Sequence, residues 1–459
     1  CDTVASLDSA SDSRLVAASG GGIWDITDVT DVQTLAAAAT FTSDRWQTSN
    51  FRKADESGIL IMCNGVDDSQ VFTPGAPGSL TPLVDTLAAG IDFIGVEVFK
   101  GRCYYWKDND DAFYYTDAGA YQGNFNRFPL GAFVQRGGKL ISVTTWTQDD
   151  AGDGKDDFIV FIFSTGEILI YQGDDPGGVG FFEMMGRYKT APVLSVRGND
   201  KYGSDVVIMT QAGYVNLSSI VQKGRTSDVP QFSRLINRAI QKETRIRSNL
   251  FGWDCRLYPR AGIFIFNVPL SGSDFNQHIF NTVTERWCRF TDVNVSCFTI
   301  HENEMYGGTP DGRVLTLFEG TSDEGVPIQF TALCAYNTMG DPGNNTHLTA
   351  AQVLTTHSQP DYISLTGYAN FAVPLIKEIT LPGNESQGNW SINPAQPASP
   401  IGSYWDEDYW ATEGVSTTKG WQNVSAYGYS VALLVRFAKV NSSVSWRSTN
   451  MRYWNGGAQ

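Results

Sequence analysis

Short apolar runs separated by glycine-containing turns recur along the first two thirds of the chain. Residues 158–173, FIVFIFSTGEILIYQG, place one apolar run on each side of Ser-Thr-Gly-Glu. Two runs of β-branched and aromatic residues joined by such a turn predict a β-hairpin. The glycine fits this position because tight hairpin turns need a residue with positive φ.

The same pattern returns at residues 15–26, 59–72, 96–106, 206–217 and 298–318, the last of which predicts three strands and two turns. The spacing, roughly 35 to 60 residues, is close to the period of four-stranded propeller blades. Strands that are apolar on both faces, such as FIVFIF, suit sheets stacked between other sheets. We therefore predict an all-β protein with a β-propeller of six or seven blades over residues 1–324. A pair of β-sandwiches is the alternative that the same hairpins allow.

One segment departs from this pattern and predicts a short helical insertion at about residues 228–247. Apolar residues follow Pro230 at helical spacing, namely Phe232, Leu235, Ile236, Ala239 and Ile240. Ser227 and Asp228 supply capping side chains just upstream, and proline is tolerated in a first helical turn.

The helical segment is also basic, which sets it apart from the rest of the chain. Residues 222–247 hold seven basic and two acidic side chains, whereas the whole chain carries a net charge of -16. One interpretation is an amphipathic helix with a solvated basic face. The other is a docking element that meets an acidic partner or a neighbouring subunit, with Arg234, Arg238 and Arg245 as the partner-contact candidates.

The pattern of glycine-containing hairpins ends at about residue 325. Residues 325–459 are predicted to form a separate β-sandwich-like domain. Residues 382–404 are rich in Pro, Gly, Asn and Ser and predict an extended excursion. Residues 425–437 predict one long buried strand, and residues 443–454 its hairpin partner. Trp405, Tyr409 and Trp410 suit either a sugar-binding platform or burial in a core or interface.

Charge and composition narrow the class of protein. Hydrophobic residues make up 42% of the chain, enough for large cores, and no apolar run reaches the 18 residues of a membrane span. No leader peptide is visible, and whether a segment precedes Cys1 stays open. The net charge argues against a protein that grips nucleic acid through its phosphates. The seven cysteines form no C-x-x-C pair and predict buried free thiols made in a reducing cytoplasm.

Motifs for catalysis are missing, and we predict that the protein is not an enzyme and needs no cofactor. His278, His301, His347 and His357 have no ligand spacing for zinc. There is neither a G-x-S-x-G elbow nor a Walker loop. Asp406 and Asp408 form an acidic pair of the kind glycosidases use, but in a chain with 49 acidic residues solvated loops account for such a pair better.

The loop at residues 149–157 is the best candidate for a metal site, and the sequence leaves calcium binding there open. Asp149, Asp153 and Asp157 stand at positions one, five and nine of a calcium-type loop. Positions three and twelve would be Ala151 and Val160, which offer no side-chain oxygen. Loops favour Asp and Gly without any metal.

Several blocks resemble one family of virion proteins. They are LFGWDCRLYPRAGIFIFNVP at 250–269, QHIFNTVTERWCRFTDVNVSCFTIHENEMYGGTPDGRVLTLFEG at 277–320, RLVAASGGGIWDITD at 14–28 and DDFIVFIFSTGEILIYQGDDP at 156–176. In this order they resemble the tail hub, nozzle or packaged-DNA stabilisation proteins of short-tailed bacteriophages. The resemblance runs from about residue 14 to 325, with a looser match at SWRSTNMRYWNGG.

The resemblance implies a structural protein of the virion tail that is assembled in the bacterial host cytoplasm. It implies a homohexameric ring below the portal and adaptor, which retains the packaged genome and provides the channel for DNA ejection. The implied partners are the adaptor or portal, tail fibre or spike proteins, and genomic DNA that passes through with weak binding, but no small-molecule substrate. It brings no metal site.

The alternative function is a carbohydrate-binding or carbohydrate-degrading β-propeller. A sialidase-type propeller should show repeated S-x-D-x-G-x-T-W boxes, and the sequence has none. The acidic charge instead suits a conduit to which DNA should not adhere, because carboxylates and phosphates repel each other.

Overall fold

The structure is a computed structural model that describes residues 1–9, 12–84, 92–147, 157–178, 180–223, 232–340, 342–357, 363–372, 416–418, 420–439 and 444–456. The chain divides into two compact units, Cys1–Phe318 and Glu319–Gln459. The sequence-based boundary between residues 324 and 325 stays a prediction.

The described residues of the first unit form seven antiparallel sheets, each built from strands that follow one another along the chain. The first two sheets contain β1 (Thr3–Leu7), β2 (Arg14–Ser19), β3 (Gly22–Asp25), β4 (Gln33–Ala36), then β5 (Gln47–Arg52), β6 (Gly58–Cys63), β7 (Gln70–Thr73) and β8 (Ser79–Pro82). The next two contain β9 (Phe93–Phe99), β10 (Arg102–Lys107), β11 (Ala112–Tyr115), β12 (Asn126–Pro129), then β13 (Leu140–Thr147), β14 (Asp157–Phe163), β15 (Glu167–Gly173) and β16 (Phe182–Lys189).

The last three sheets include two of only three described strands. They contain β17 (Asn199–Tyr202), β18 (Asp205–Thr210) and β19 (Gly213–Asn216), then β20 (Asp254–Tyr258), β21 (Ile263–Pro269), β22 (Phe275–Asn281) and β23 (Arg286–Thr291), then β24 (Cys297–His301), β25 (Glu304–Gly308) and β26 (Val314–Leu317). We call these sheets blades 1 to 7, and the first strand of each is its inner strand.

Each blade packs both of its faces against neighbouring blades. In β14, Ile159 and Phe161 belong to the apolar cluster shared with blade 3, whereas Val160 and Ile162 belong to the cluster shared with blade 5. Seven clusters of this kind join successive blades, and one of them joins the last blade to the first. The first unit is therefore a closed, seven-bladed β-propeller, and the predicted fold class is confirmed.

The ring closes between blade 7 and blade 1 through whole blades. Val4 of β1 and Cys297 of β24 lie in one buried cluster with Cys1. The hydroxyl of Ser296 donates to the carbonyl oxygen of Cys1 at 2.8 Å, and the amino group of Cys1 bonds the carbonyl oxygen of Thr309.

The hairpin predicted at residues 158–173 is confirmed as β14 and β15. The two strands pair directly, with Ile162 opposite Ile168. Gly166 in the turn has φ of 78°, and a Cβ there would lie 2.4 Å from the carbonyl oxygens of Thr190 and Ala191. Only glycine fits this turn without strain.

Arg197 ties blade 5 to blades 1 and 2 at the end of the propeller where the inner strands begin. Its Nη1 donates to the Asp2 carbonyl oxygen at 2.8 Å, and its Nη2 donates to the Thr3 hydroxyl at 2.8 Å and the Trp46 carbonyl oxygen at 2.7 Å. Its Nε donates to Gln47 Oε1 at 3.2 Å. We call this end of the propeller the Arg197 end.

Phe251 covers the same guanidinium from the side of blade 6. Arg197 lies 5.3 Å from the centroid of the Phe251 ring, and Arg45 lies 4.1 Å from it. Cations held against an aromatic face gain electrostatic attraction from the ring. Residues that are far apart in sequence thus meet at the Arg197 end.

We expect Arg197→Lys to destabilise the propeller because an ammonium group cannot make the divergent hydrogen bonds of the guanidinium. Leaving several buried acceptors unpaired should cost about 2–4 kcal/mol, read as a lower thermal midpoint. The exposed Arg136→Lys is the matched control. Equal midpoints for the two variants would show that Arg197 is dispensable.

Two helices lie between blades 5 and 6, α1 (Leu217–Lys223) and α2 (Asn237–Arg247). The predicted insertion at about 228–247 starts too early, since residues 232–236 form turns and residues 224–231 lie outside the described residues. Ser233 holds these turns, accepting from the Tyr214 N–H at 2.8 Å and donating to Asn237 Oδ1 at 2.6 Å. The sequence did not predict α1, which continues an apolar hairpin.

The second unit contains two packed sheets. Its strands are β27 (Ile328–Leu333), β28 (Thr346–His357), β29 (Ile363–Ala369), β30 (Ser416–Thr418), β31 (Trp421–Gly428), β32 (Val431–Lys439) and β33 (Val444–Asn455). One sheet has the order β27-β32-β29, and in the other β28 lies between β33 on one side and β30 and β31 on the other. Leu348, Val424 and Leu433 contribute to the core between them. The predicted sandwich is confirmed.

Two details of the predicted sandwich are wrong. Residues 425–437 are not one strand, because the chain turns at Tyr429 and Ser430 and enters the other sheet. β33 pairs with β28 and not with β32. Alternation along a strand identifies its buried face, but it does not identify its partner.

No helix among the described residues is long and apolar enough to cross a membrane. All seven cysteines lie in described segments and none forms a disulfide. Five are buried, Cys288 is exposed and Cys334 is intermediate. Burial raises the pKa of the Cys63 and Cys103 thiols to about 12.

Candidate partner-contact surface

Helix α2 is anchored to the Arg197 end of blades 5 and 6. Ile240 and Thr244 are its buried residues, and the Thr244 hydroxyl donates to the Gln211 carbonyl oxygen at 3.0 Å in the β18–β19 turn. Arg247 Nε donates to the Leu270 carbonyl oxygen at 3.1 Å, just after β21. These contacts fix which face of the helix points outward.

The outward face carries basic and apolar side chains together. Leu235 is 69% exposed and Ile246 is 73% exposed. Arg238, Lys242 and Arg245 are exposed and lie three or four residues apart, so they share one side of the helix. We define the α2 stripe as the set Arg234, Leu235, Arg238, Lys242, Arg245 and Ile246.

The partner-contact candidates Arg234, Arg238 and Arg245 are therefore brought to one surface. None of them pairs with a carboxylate among the described residues, whereas Arg247 pairs with Glu243 on the same helix. Exposed leucine and isoleucine beside several unpaired cations form a surface with both apolar area and charge to offer a partner. That these arginines contact another chain stays a prediction.

Polar bonds between inner strands surround the propeller axis. Asp200 of β17 accepts from the Leu257 N–H of β20 at 2.8 Å and lies 3.8 Å from Arg256 Nη1. Asp254 accepts from the Phe298 N–H of β24 at 3.3 Å. Burial raises the pKa of Asp254, although the cations of Arg256 and Arg197 oppose the shift. These groups position neighbouring blades, and their arrangement suggests a structural role.

Glu97 of the inner strand β9 is an axial carboxylate whose pKa is raised into the neutral range. Burial beside the axis raises its pKa to about 7, against the opposing effects of Lys201 and of a hydrogen bond from Thr145. Because the pKa is higher in the folded chain than in the unfolded one, Glu97 contributes stability at low pH that is lost as pH rises toward 7.

We expect Glu97→Gln to flatten this dependence. Between pH 5 and pH 8 the wild type should lose about 1–2 kcal/mol more stability than the variant, allowing for the partial exposure of the group. Denaturant midpoints at the two pH values measure the difference. The exposed Glu183→Gln is the control, and parallel pH curves for wild type and Glu97→Gln would contradict the prediction.

The other candidates for chemistry fall into two groups. His278 is buried, its Nδ1 lies 3.0 Å from the Tyr214 hydroxyl, and burial with the nearby Arg289 lowers its pKa to about 4. His301 Nδ1 lies 2.9 Å from the Ser6 hydroxyl. Within the described ranges, no three His, Cys, Asp or Glu side chains group as a metal site.

The remaining candidates lie outside the described residues. They are the calcium-type loop from Asp149 to residue 156, and the group Trp405, Asp406, Asp408, Tyr409 and Trp410. The last aspartate of the loop, Asp157, is described at the start of β14, where it accepts from the Thr147 hydroxyl at 2.9 Å. Calcium binding stays open.

A second surface, not predicted from the sequence, lies on the outer face of the sheet formed by β31, β28 and β33. Trp454 is 71% exposed, Tyr427 54% and Trp421 41%. The alternation in β31 could have signalled it, because Val424 and Ala426 are buried while Trp421 and Tyr427 face outward. The alternation in β31 could not have shown that β33 joins the same sheet by pairing with β28.

The resemblance blocks at 250–320 build blades 6 and 7 and join them. Asn267 Nδ2 donates to the carbonyl oxygens of Gly252 at 2.8 Å and Val295 at 2.9 Å, and Gln277 Nε2 donates to Asn267 Oδ1 at 2.9 Å. A buried network of this kind fixes how strands of two blades meet. In this chain the blocks thus hold residues that stabilise the fold.

No protein-family model and no curated protein matches this chain. Among solved structures, the chain is similar to Raptor of Chaetomium thermophilum, with a TM-score of 0.43 and 12% identity over 66% of this chain and 26% of that one. It is similar to a candidate 6-phosphogluconolactonase of Bacteroides fragilis, with a TM-score of 0.41 and 13% identity over 68% and 96%.

A third similar structure is PorZ of Porphyromonas gingivalis, a surface component of the type-IX secretion system. Its TM-score is 0.38, with 11% identity over 73% of this chain and 42% of that one. Likenesses at this level say nothing about function. The assignment as a propeller rests on the seven blades described above.

Proposed function

We propose that this protein is a structural subunit of a bacteriophage tail, which forms a homohexameric hub or nozzle ring below the portal and adaptor. In this proposal the ring retains the packaged genome and surrounds its ejection path. The α2 stripe is the observation that carries it, because the stripe offers a rigid basic and apolar surface on an otherwise acidic protein. The ordered sequence blocks supply the resemblance to this class of protein.

The α2 stripe suits a contact with a second copy of the chain. Two copies of a chain with a net charge of -16 repel each other, so a contact between them needs a basic surface on one copy that meets an acidic surface on the other. Complementary charge at an interface favours the correct partner and speeds association. In a closed ring, each subunit would use the stripe on one side and a different, acidic surface on the other.

The path of DNA in such a ring lies between subunits and not through one propeller. Arg197 crosses the Arg197 end of the axis, where it bonds blades 1 and 2. Asp200 and Arg256 meet beside the same axis. Because these side chains occupy the axis of the propeller, the duplex would instead face the inner wall of the ring that the subunits form.

We expect the triple variant Arg234→Glu, Arg238→Glu and Arg245→Glu to lose ring assembly. Reversal of three charges at one contact replaces attraction with repulsion and should weaken association at least about tenfold at low salt. Light scattering coupled to size exclusion measures the assembly state.

The matched control reverses three arginines outside the stripe, Arg136, Arg286 and Arg447, which are also exposed. It changes the net charge equally and should assemble like the wild type. If both triple variants assemble alike at low and high salt, the stripe is only a solvated helix face and the assembly role of these arginines is wrong.

Weak binding of duplex DNA is a second expectation. Repulsion between carboxylates and phosphates keeps a duplex from adhering, although screening limits this effect to about 8–10 Å at physiological salt. Fluorescence anisotropy of a labelled duplex should show binding no tighter than about 10⁻⁴ M in physiological salt. Tight binding that falls steeply with added salt would mean that the wall grips phosphate.

The alternative of a carbohydrate-binding or carbohydrate-degrading propeller stays a hypothesis. Cleavage of a polysaccharide by the purified protein, lost when one carboxylate is replaced, would favour it over a structural role.

A further inference from the structure

The outer face of the β31–β28–β33 sheet carries a row of aromatic side chains across three strands. His347 of β28 pairs with Tyr427 of β31 on one side and Trp454 of β33 on the other. The Tyr427 and His347 ring centroids lie 6.2 Å apart. The neighbouring Leu348 and Ala426 are buried, so the row faces away from the core.

An arginine and a second tryptophan stand beside this row. The guanidinium of Arg452 lies 4.2 Å from the centroid of the Trp421 ring. A guanidinium held over an aromatic face is attracted by the ring and keeps N–H groups with which to donate to a ligand. Beside this pair, Asn450 Nδ2 of β33 donates to Gln352 Oε1 of β28 at 3.0 Å, which fixes two more polar side chains of the same face.

A depression opens between these groups because a small residue lies at its base. Ala350 pairs with Asn423 and with Arg452, and its methyl group leaves the space between them empty. The depression has a volume of about 530 Å³, and Trp454 and Thr349 are among its lining residues. Because the depression is open to solvent, it suits a ligand that lies along the surface and reaches into it.

We infer that this face binds a pyranose oligosaccharide, which lies across Trp454 and Tyr427 and reaches into the depression over Ala350. A pyranose ring has an apolar C–H face that packs on an aromatic ring, and a rim of hydroxyls that needs hydrogen-bond partners. Asn423 offers an amide and Arg452 its guanidinium around the depression, and the Thr349 hydroxyl, which donates to the Arg452 carbonyl oxygen at 3.1 Å, can still accept a hydrogen bond. These groups supply both requirements within one site.

The same face is less suited to a nucleic acid, which also stacks on aromatic rings. Single-stranded binding adds a groove of positive charge that follows the backbone. The depression is lined by one cation, Arg452, on a chain with a net charge of -16. We therefore assign the site to sugars and make nucleic acid an outcome of the test.

Isothermal titration of the full chain with cellotetraose, maltotetraose and tetragalacturonate tests the inference, with a 15-nucleotide oligothymidylate alongside. The two neutral sugars distinguish linkages, and the third asks whether Arg452 selects a carboxylate. At least one sugar should bind with a Kd below about 1 mM.

Trp454→Ala and Trp421→Ala should each weaken that binding about tenfold, and Trp454→Phe should retain more of it than Trp454→Ala. Ala350→Met should weaken it by filling the depression. Tyr429→Ala is the matched control, because Tyr429 is 48% exposed but lies in the turn after β31, where its ring is near Phe371 and belongs neither to the aromatic row nor to the lining of the depression. Thermal midpoints show whether each variant is folded.

Several results would overturn the inference. They are the absence of binding by all three sugars, equal affinity of wild type and Trp454→Ala, binding of the oligothymidylate in place of sugar, and a change in assembly state on Trp454→Ala. The last would show that another copy covers this face. Failure of the sugar site leaves the α2 stripe untouched, since the two surfaces share no residue.

Discussion

Both faces of every blade in this propeller are apolar, and each must be covered by another sheet. A blade at the end of an open stack would leave a wide apolar face in water, at a cost that grows with its area. Closing the stack into a ring removes both ends at once. The cluster of Cys1, Val4 and Cys297 therefore completes the core, since without it blades 1 and 7 would each keep an uncovered face.

Apolar packing brings the blades together, and polar bonds near the axis set how they meet. Arg197 contacts residues from three blades. Its directional hydrogen bonds fix the relative positions of these blades more closely than the contacts of an apolar side chain of the same size could. The α2 helix is attached to the same end and inherits its rigidity through Thr244 and Arg247. A rigid base is what a partner-contact surface needs, because little order is then lost on binding.

The sequence predicted most of the fold because hairpins are local. The run FIVFIF is apolar on both faces of a strand and therefore predicts burial of both, and Gly166 marks the turn that follows it. The number of blades was left at six or seven because the six predicted hairpins fall in blades 1 to 5 and 7, and none was predicted in blade 6, where residues 270–274 separate β21 from β22. The pairing of β28 with β33 was missed for another reason. The two strands are far apart in sequence, and the pattern of apolar residues in a strand does not identify the strand with which it pairs.

The candidate surfaces show the same contrast. Arg234, Arg238 and Arg245 were found because a basic cluster is conspicuous in an acidic chain. Trp421 and Trp454 were not, since they come from strands that only the folded sheet places on the two sides of β28.

Closure by whole blades also fixes an order of events during synthesis. Each blade is built from consecutive strands, so it can form soon after it leaves the ribosome. The face of blade 1 that carries Leu15 and Ala17 waits longest, because its cover arrives only with Cys297 in β24. For most of translation this nascent chain carries an apolar face open to chaperones, and slow elongation late in the message would prolong that exposure.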